Sequence, residues 1–122
     1  MTPDQILNEL AHCTCTDNYY QHWCKHLIYT DGVKQMADLC RAYWLIDAIA
    51  SYQTVQFSKA NEFQVWKLEK SPTKAHPDRY TLTCEDGNGN EIIRQIISYS
   101  DFPLDNMTVW VEGGTALLPS EH

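Results

Sequence analysis

The chain has 122 residues, 43% of them hydrophobic, and its sixteen acidic against nine basic side chains give a net charge of −7 with histidine neutral. That apolar fraction excludes a disordered chain, and the length fits a single domain over residues 1–122 whose core buries roughly two thirds of the unfolded surface. No apolar run approaches the ~20 residues of a membrane-spanning helix and no signal peptide opens the chain, so the expectation is a cytoplasmic protein without a membrane partner.

Thr2-Pro3-Asp4-Gln5 has the form of a capping box with proline at the first helical position. Ile6, Leu7, Leu10 and Ala11 follow on one face, so the spacing predicts a short first helix. Residues 13–26 are irregular and rich in cysteine, histidine and aromatics, and Leu27 to Tyr29 fits a short extended piece. At Thr30-Asp31-Gly32 a second helix starts, with Thr30 or Asp31 as its cap and Val33, Met36, Ala37 and Cys40 on one face. The pattern fits both one helix running on past Arg41 and two helices with a break near Cys40.

After Phe57 the period changes. Phe63 to Lys70 is predicted as a strand, Lys70 to Asp78 with its two prolines as a loop, and Tyr80 to Cys84 as a half-buried strand. Asp86-Gly87-Asn88-Gly89-Asn90 signals a hairpin, because glycine and asparagine tolerate positive φ. Glu91 to Tyr99 matches a helical period too, but the preceding hairpin and its β-branched content favour a strand. Met107, Val109 and Val111 alternate with polar or aromatic neighbours up to Gly113-Gly114. The expected class is α+β, with N-terminal helices packed on one face of an antiparallel sheet of about four strands.

Two features bear on function. The first is charge, since residues 85–122 carry seven acids (Glu85, Asp86, Glu91, Asp101, Asp105, Glu112 and Glu121) against Arg94 alone. Such a field disfavours direct nucleic-acid binding and anionic membranes and favours a basic partner, although acidic surfaces also simply keep proteins soluble. The second is Asp47, set within the apolar run Ala42 to Gln53. A buried carboxylate needs donors. On a helix Tyr43, Asp47, Ser51 and Thr54 form a polar seam beside the apolar stripe, so Asp47 reads as a structural acid tying its helix to a loop or a basic side chain.

Residues Tyr29-Thr30-Asp31-Gly32-Val33, Ala42 to Asp47, Ala50 to Gln53, Phe63 to Leu68, Ser100 to Leu104 and Leu118 to Glu121 resemble a family of small proteins of unknown function. The resemblance covers most of the chain, and its bearers are bacteria, including cyanobacteria, with their phages and plasmids. It implies a one-domain cytoplasmic protein, often in a mobile-element setting, and brings no catalytic signature.

Candidate chemistry is thin. Cys13, Cys15, His22 and Cys24 form a weak zinc candidate, with His12 and His26 nearby, but Cys-x-Cys and Cys-x-His are not the usual knuckle spacing and no second ligand pair follows. His22, Cys24, His26, Asp31 and Asp47 are residue types suited to acid–base or nucleophilic work, without a motif fixing their geometry. Five cysteines cannot all pair, and without an export signal they are expected to be free thiols. No catalytic residue and no cofactor is assigned. Tyr19, Tyr20, Trp23 and Trp110 are aromatic candidates for a binding surface, together with the acids Glu85, Asp86, Glu91 and Glu112.

The leading expectation is a non-enzymatic interaction protein that meets a basic protein or nucleoprotein complex through its acidic C-terminal surface. Its specific form, from the resemblance, is a counter-defence inhibitor of the anti-CRISPR kind. The alternative is a small-ligand or nucleotide-sequestering protein using Tyr19, Tyr20, Tyr43 and Arg41 or Arg94, and an enzyme stands third. Sequence leaves the oligomeric state open.

Overall fold

The computed structural model describes residues 2–122. Helix α1 (Pro3–Ala11) is closed at its start by the capping box: Gln5 N–H donates to Thr2 Oγ1 at 3.2 Å and Thr2 N–H to Gln5 Oε1 at 2.9 Å. A short hairpin, β1 (Tyr19–Gln21) and β2 (Ile28–Thr30), leads into α2 (Asp31–Cys40), where Thr30 Oγ1 caps Val33 N–H at 3.3 Å. Arg41 then adopts a left-handed φ of 52°, and α3 (Tyr43–Ser51) begins two residues later, so the helix breaks after Cys40. Thr54 caps a fourth short helix, α4 (Val55–Ala60).

The remaining strands are β3 (Phe63–Lys70), β4 (Tyr80–Glu85), β5 (Glu91–Ile97), β6 (Asn106–Glu112) and β7 (Thr115–Leu117), followed by a 3-10 turn at Pro119–Glu121. Gly113 and Gly114, at φ 57° and 81°, make the tight turn between β6 and β7, a conformation that side chains with a Cβ resist. Among the described residues the fold is mixed α+β, with four helices and one seven-stranded sheet ordered β1-β2-β7-β6-β3-β4-β5.

The expected sheet of about four antiparallel strands is therefore too small and too uniform. β3, β4, β5 and β6 form the antiparallel centre, but β1, β2 and β7 add three strands of three residues each, and β2 runs parallel to β7. Three residues are too few to show a period-two pattern, and the β2–β7 pairing joins the first third of the chain to its end.

Register assigns the two sheet faces. Trp66, Leu68, Leu82, Cys84, Val109, Val111 and Ala116 point to one face and merge with Ile6, Leu10, Val33, Met36, Leu45, Ile46 and Ile49 of the helices in one buried cluster. The opposite face carries Ile28, Phe63, Val65, Lys67, Thr83, Trp110, Thr115 and Leu117. Among the described residues none of its apolar side chains belongs to the buried cluster.

Candidate functional site

Two surfaces collect the side chains singled out from sequence. The first is the tip of the β1–β2 hairpin. His22 N–H and Leu27 C=O close it at 2.8 Å, Lys25 takes a positive φ of 67°, and Trp23 projects from it with 81% of its surface exposed. The His22 ring beneath is 6% exposed and packs tilted against the indole, with centroids 5.2 Å apart. Cys24 N–H donates to His22 Nδ1 at 3.1 Å, which leaves the imidazole proton on Nε2, and Nε2 lies 2.6 Å from Asp47 Oδ1 on α3. Both ring nitrogens are engaged within the protein. The pair fixes the hairpin on the helix and presents no free base to a substrate.

Asp47 thus takes its hydrogen bond from outside the polar seam drawn along its own helix, and that seam does not form. Tyr43 Oη–H donates a short bond to Asp38, Ser51 Oγ–H donates to the carbonyl of Ala48 at 2.6 Å, and Thr54 caps α4. The helix ends at Ser51, so Thr54 is not on Asp47's face, and the carboxylate is 56% exposed rather than buried. Other aromatics of the hairpin are held locally: Tyr20 stacks on Tyr29 at 5.6 Å, and its hydroxyl donates to Asp31 at 2.9 Å, while Tyr19 is exposed. Asp31 also accepts from the backbone N–H groups of Asp17 and Asn18, both at 3.0 Å. These bonds, Tyr20's first, hold its carboxyl below the ordinary value and raise Tyr20's phenol in return.

The second surface is the sheet face turned away from the core. Trp110 sits at its middle, opposite Val65 on β3 and Leu117 on β7, with Phe63 edge-on at 5.5 Å and His122 edge-on at 5.1 Å. Carboxylates surround this group, and each is anchored. Glu85 accepts from Lys67 at 3.0 Å, Glu112 lies 3.1 Å from His122, and Glu91 holds Arg94 through two bonds of 2.7 and 3.2 Å. Asp86 is turned into its own hairpin, accepting from Asn88 and Asn90, which keeps its carboxyl below the ordinary range. Phe63 and His122 were missed from sequence; the alternation of Phe63, Val65 and Lys67 against Gln64, Trp66 and Leu68 was the available signal for the first of them.

The zinc candidate is not assembled. Among the described residues no three His, Cys, Asp or Glu side chains converge on a metal-sized gap. Cys13 Sγ–H instead donates to Gln35 Oε1 at 3.1 Å, Cys15 is exposed, and Cys24 Sγ accepts from His26 N–H at 3.4 Å. All five cysteines are free thiols. Of the residues named for a small ligand, Tyr20, Tyr43 and Arg94 are hydrogen-bonded to Asp31, Asp38 and Glu91 respectively. No helix among the described residues is long and apolar enough to cross a membrane.

One carboxylate that sequence reading counted only as charge proves to be a tether. Glu121, in the C-terminal 3-10 turn, accepts from Thr30 Oγ1 at 2.7 Å, Leu118 N–H at 2.9 Å and Gly32 N–H at 3.2 Å, so it seats the end of the chain on the N-terminus of α2.

A family model described as a family of unknown function, DUF6876, matches residues 4–122. Comparison with curated proteins and with solved structures finds no match.

Proposed function

We propose that this chain, which belongs to the family of unknown function DUF6876, is a non-enzymatic interaction protein that docks a basic protein or nucleoprotein partner on the face of its sheet turned away from the core. The observation that supports this reading most directly is the Trp110 group. Trp110, half-buried, lies on the middle strand of the sheet, flanked by Phe63, Val65 and Leu117, with the ion-paired Glu85, Glu91 and Glu112 at its edge. An aromatic centre inside a charged rim is the usual anatomy of an interface. Sheet strands hold such a group more firmly than loops would, which lowers the ordering cost of binding.

The net charge of −7, which residues 85–122 carry with seven acids against Arg94 alone, sets the sign of the partner. In its specific form, suggested by the mobile-element resemblance, the protein is a counter-defence inhibitor occupying a basic groove that otherwise holds nucleic acid. The cytoplasm is the matching compartment.

The test is affinity capture from the native host by the wild-type chain and by Trp110→Ala, followed by calorimetry on the reconstituted pair at rising salt. Expected are a basic partner retained by the wild type, a binding constant that weakens steeply with salt, and a loss of about tenfold or more for Trp110→Ala. Affinity indifferent to salt, a partner held equally by Trp110→Ala, or a nucleotide co-purifying in place of a protein overturns the reading.

A further inference from the structure

The sheet has two edges, and they differ. β1 at one end has three residues, whereas β5 at the other has seven and, among the described residues, pairs on one side only, with β4. Long free edges invite another strand, and proteins usually blunt them with proline, lysine or a covering loop. Glu91-Ile92-Ile93-Arg94-Gln95-Ile96-Ile97 contains neither proline nor lysine. Its blunting features are the charges of Glu91 and Arg94, which bond each other, and a register irregularity against Cys84 and Glu85 confined to the first end of the strand. Along the strand Ile93, Gln95 and Ile97 are half-buried, and Ile92, Arg94 and Ile96 alternate with them as exposed positions, Ile92 at 37% and Ile96 at 48%.

We propose that β5 is the seam of a homodimer, in which two copies pair antiparallel, edge to edge, about a two-fold axis at Arg94. The sequence of the strand is self-complementary in that register. Ile92 of each copy falls opposite Ile96 of the other, so all four exposed isoleucines are covered as two cross-strand pairs. Glu91 falls opposite Ile97, and Ile93 opposite Gln95. The two Arg94 side chains meet at the axis, and each is already neutralised by its own Glu91 through the bonds of 2.7 and 3.2 Å. The charge that would otherwise forbid a like-with-like contact is cancelled inside each copy. A second copy fits this edge because the pattern reads the same from both directions.

The exposed side chains of this seam share the sheet face of Trp110, but β5 lies three strands from β6, so Trp110→Ala and the β5 lysine variants test the two readings separately. The two also respond oppositely to salt: docking of a basic partner weakens with salt, while two copies each carrying −7 repel less when screened.

Sedimentation equilibrium of the full chain over a range of protein concentration, at low and high salt, is the test. Expected is a reversible monomer–dimer equilibrium that tightens with salt and is unchanged in Trp110→Ala. Ile96→Lys is expected to raise the dimer Kd by about tenfold or more with its melting temperature kept, and Ile92→Lys to do the same if Ile96→Lys fails to fold. In the wild type, amide exchange in residues 91–97 is expected to slow as concentration rises. A monomer at every concentration and salt overturns the proposal, as does a dimer that neither lysine variant loosens or one lost only in Trp110→Ala.

Discussion

His22 Nε2 stands 2.6 Å from Asp47 Oδ1 and joins the β1–β2 hairpin to α3 across 25 residues of chain. The relationship is lopsided, with a nearly buried imidazole and a carboxylate more than half exposed. Water can therefore replace Asp47 more easily than anything can replace His22, and the two residues make unequal contributions.

Removing each side of the pair exposes that inequality. Asp47→Ala leaves Nε2–H to find water and is expected to cost about 1 kcal/mol, which for a domain of this size lowers Tm by roughly 3–6 °C. Asp47→Asn keeps an acceptor and is expected to cost less. His22→Ala also empties a packed site and strands Cys24 N–H, so about 2 kcal/mol or more is expected. Thermal melts rank the three, and an order with Asp47→Ala below His22→Ala in stability would sink this assignment.

Asp31 makes stability depend on acid. Its carboxyl lies below the ordinary 3.8 in the folded chain, chiefly through the Tyr20 hydroxyl and then through the backbone of Asp17 and Asn18. The unfolded chain therefore binds the proton more readily. Stability from this group is complete above about pH 4 and drains away as pH falls through the lower folded value. Asp31→Asn is expected to be less stable at neutral pH and to have a shallower acid limb in urea midpoints measured against pH. An acid limb as steep as the wild type's would count against the hydrogen-bond account.

Glu121 and Gly32 form a coupled pair. A Cβ added at Gly32 would overlap the Glu121 carboxylate, which is itself held by Thr30, Gly32 and Leu118. Glu121→Ala is expected to destabilise by about 1–3 kcal/mol through the lost charge-assisted bonds. Gly32→Ala evicts the same carboxylate, so the double variant should cost clearly less than the two singles added together. Additive costs in denaturant titrations would mean that the two residues act separately.

These three cases also mark how far the sequence could be read. Local chemistry was legible: the capping box at Thr2 and Gln5 and the cap at Thr30 depend on residues three apart, and both form. The strand at Glu91–Ile97, ambiguous by period, was settled by the turn residues before it. What joins distant segments was not legible. The β2–β7 pairing, the Thr30–Glu121 bond and the His22–Asp47 bond leave no periodic trace, because a side chain's remote partner is chosen by the fold. The same holds for a buried amide network, in which Gln64 bonds Gln53 through both amide atoms and accepts from Trp66 Nε1 at 2.8 Å. In sequence Gln64 is one polar residue in an alternating strand; in the fold it is on the core side. On the functional side, Trp110 could be singled out by alternation, but Phe63 and His122 reach it only through pairing and chain return.

Thiol reactivity gives an independent check on where the core lies. Cys15 is exposed, Cys13 and Cys24 are half-buried, and Cys40 and Cys84 are buried. Burial pushes the Cys40 thiol up to about 11 and the Cys84 thiol to about 12, with Glu85 and Asp86 adding to the second. The thiolate is the reactive form, so at about pH 8 roughly a thousandth of Cys40 and a ten-thousandth of Cys84 is available even before access is considered. Cys13 is also raised, first by burial and then by Glu121, Glu9 and Asp31, and its S–H donates to Gln35 Oε1. An aromatic disulfide reagent should therefore modify Cys15 first and Cys13 more slowly, and should reach Cys40 and Cys84 only in denaturant. Cys40 sits between α2 and the rest of the core and Cys84 on the inner face of β4, so their release reports opening of the whole cluster. Modification of either at the rate of Cys15 in the native protein would show that the helices do not close over the sheet as described.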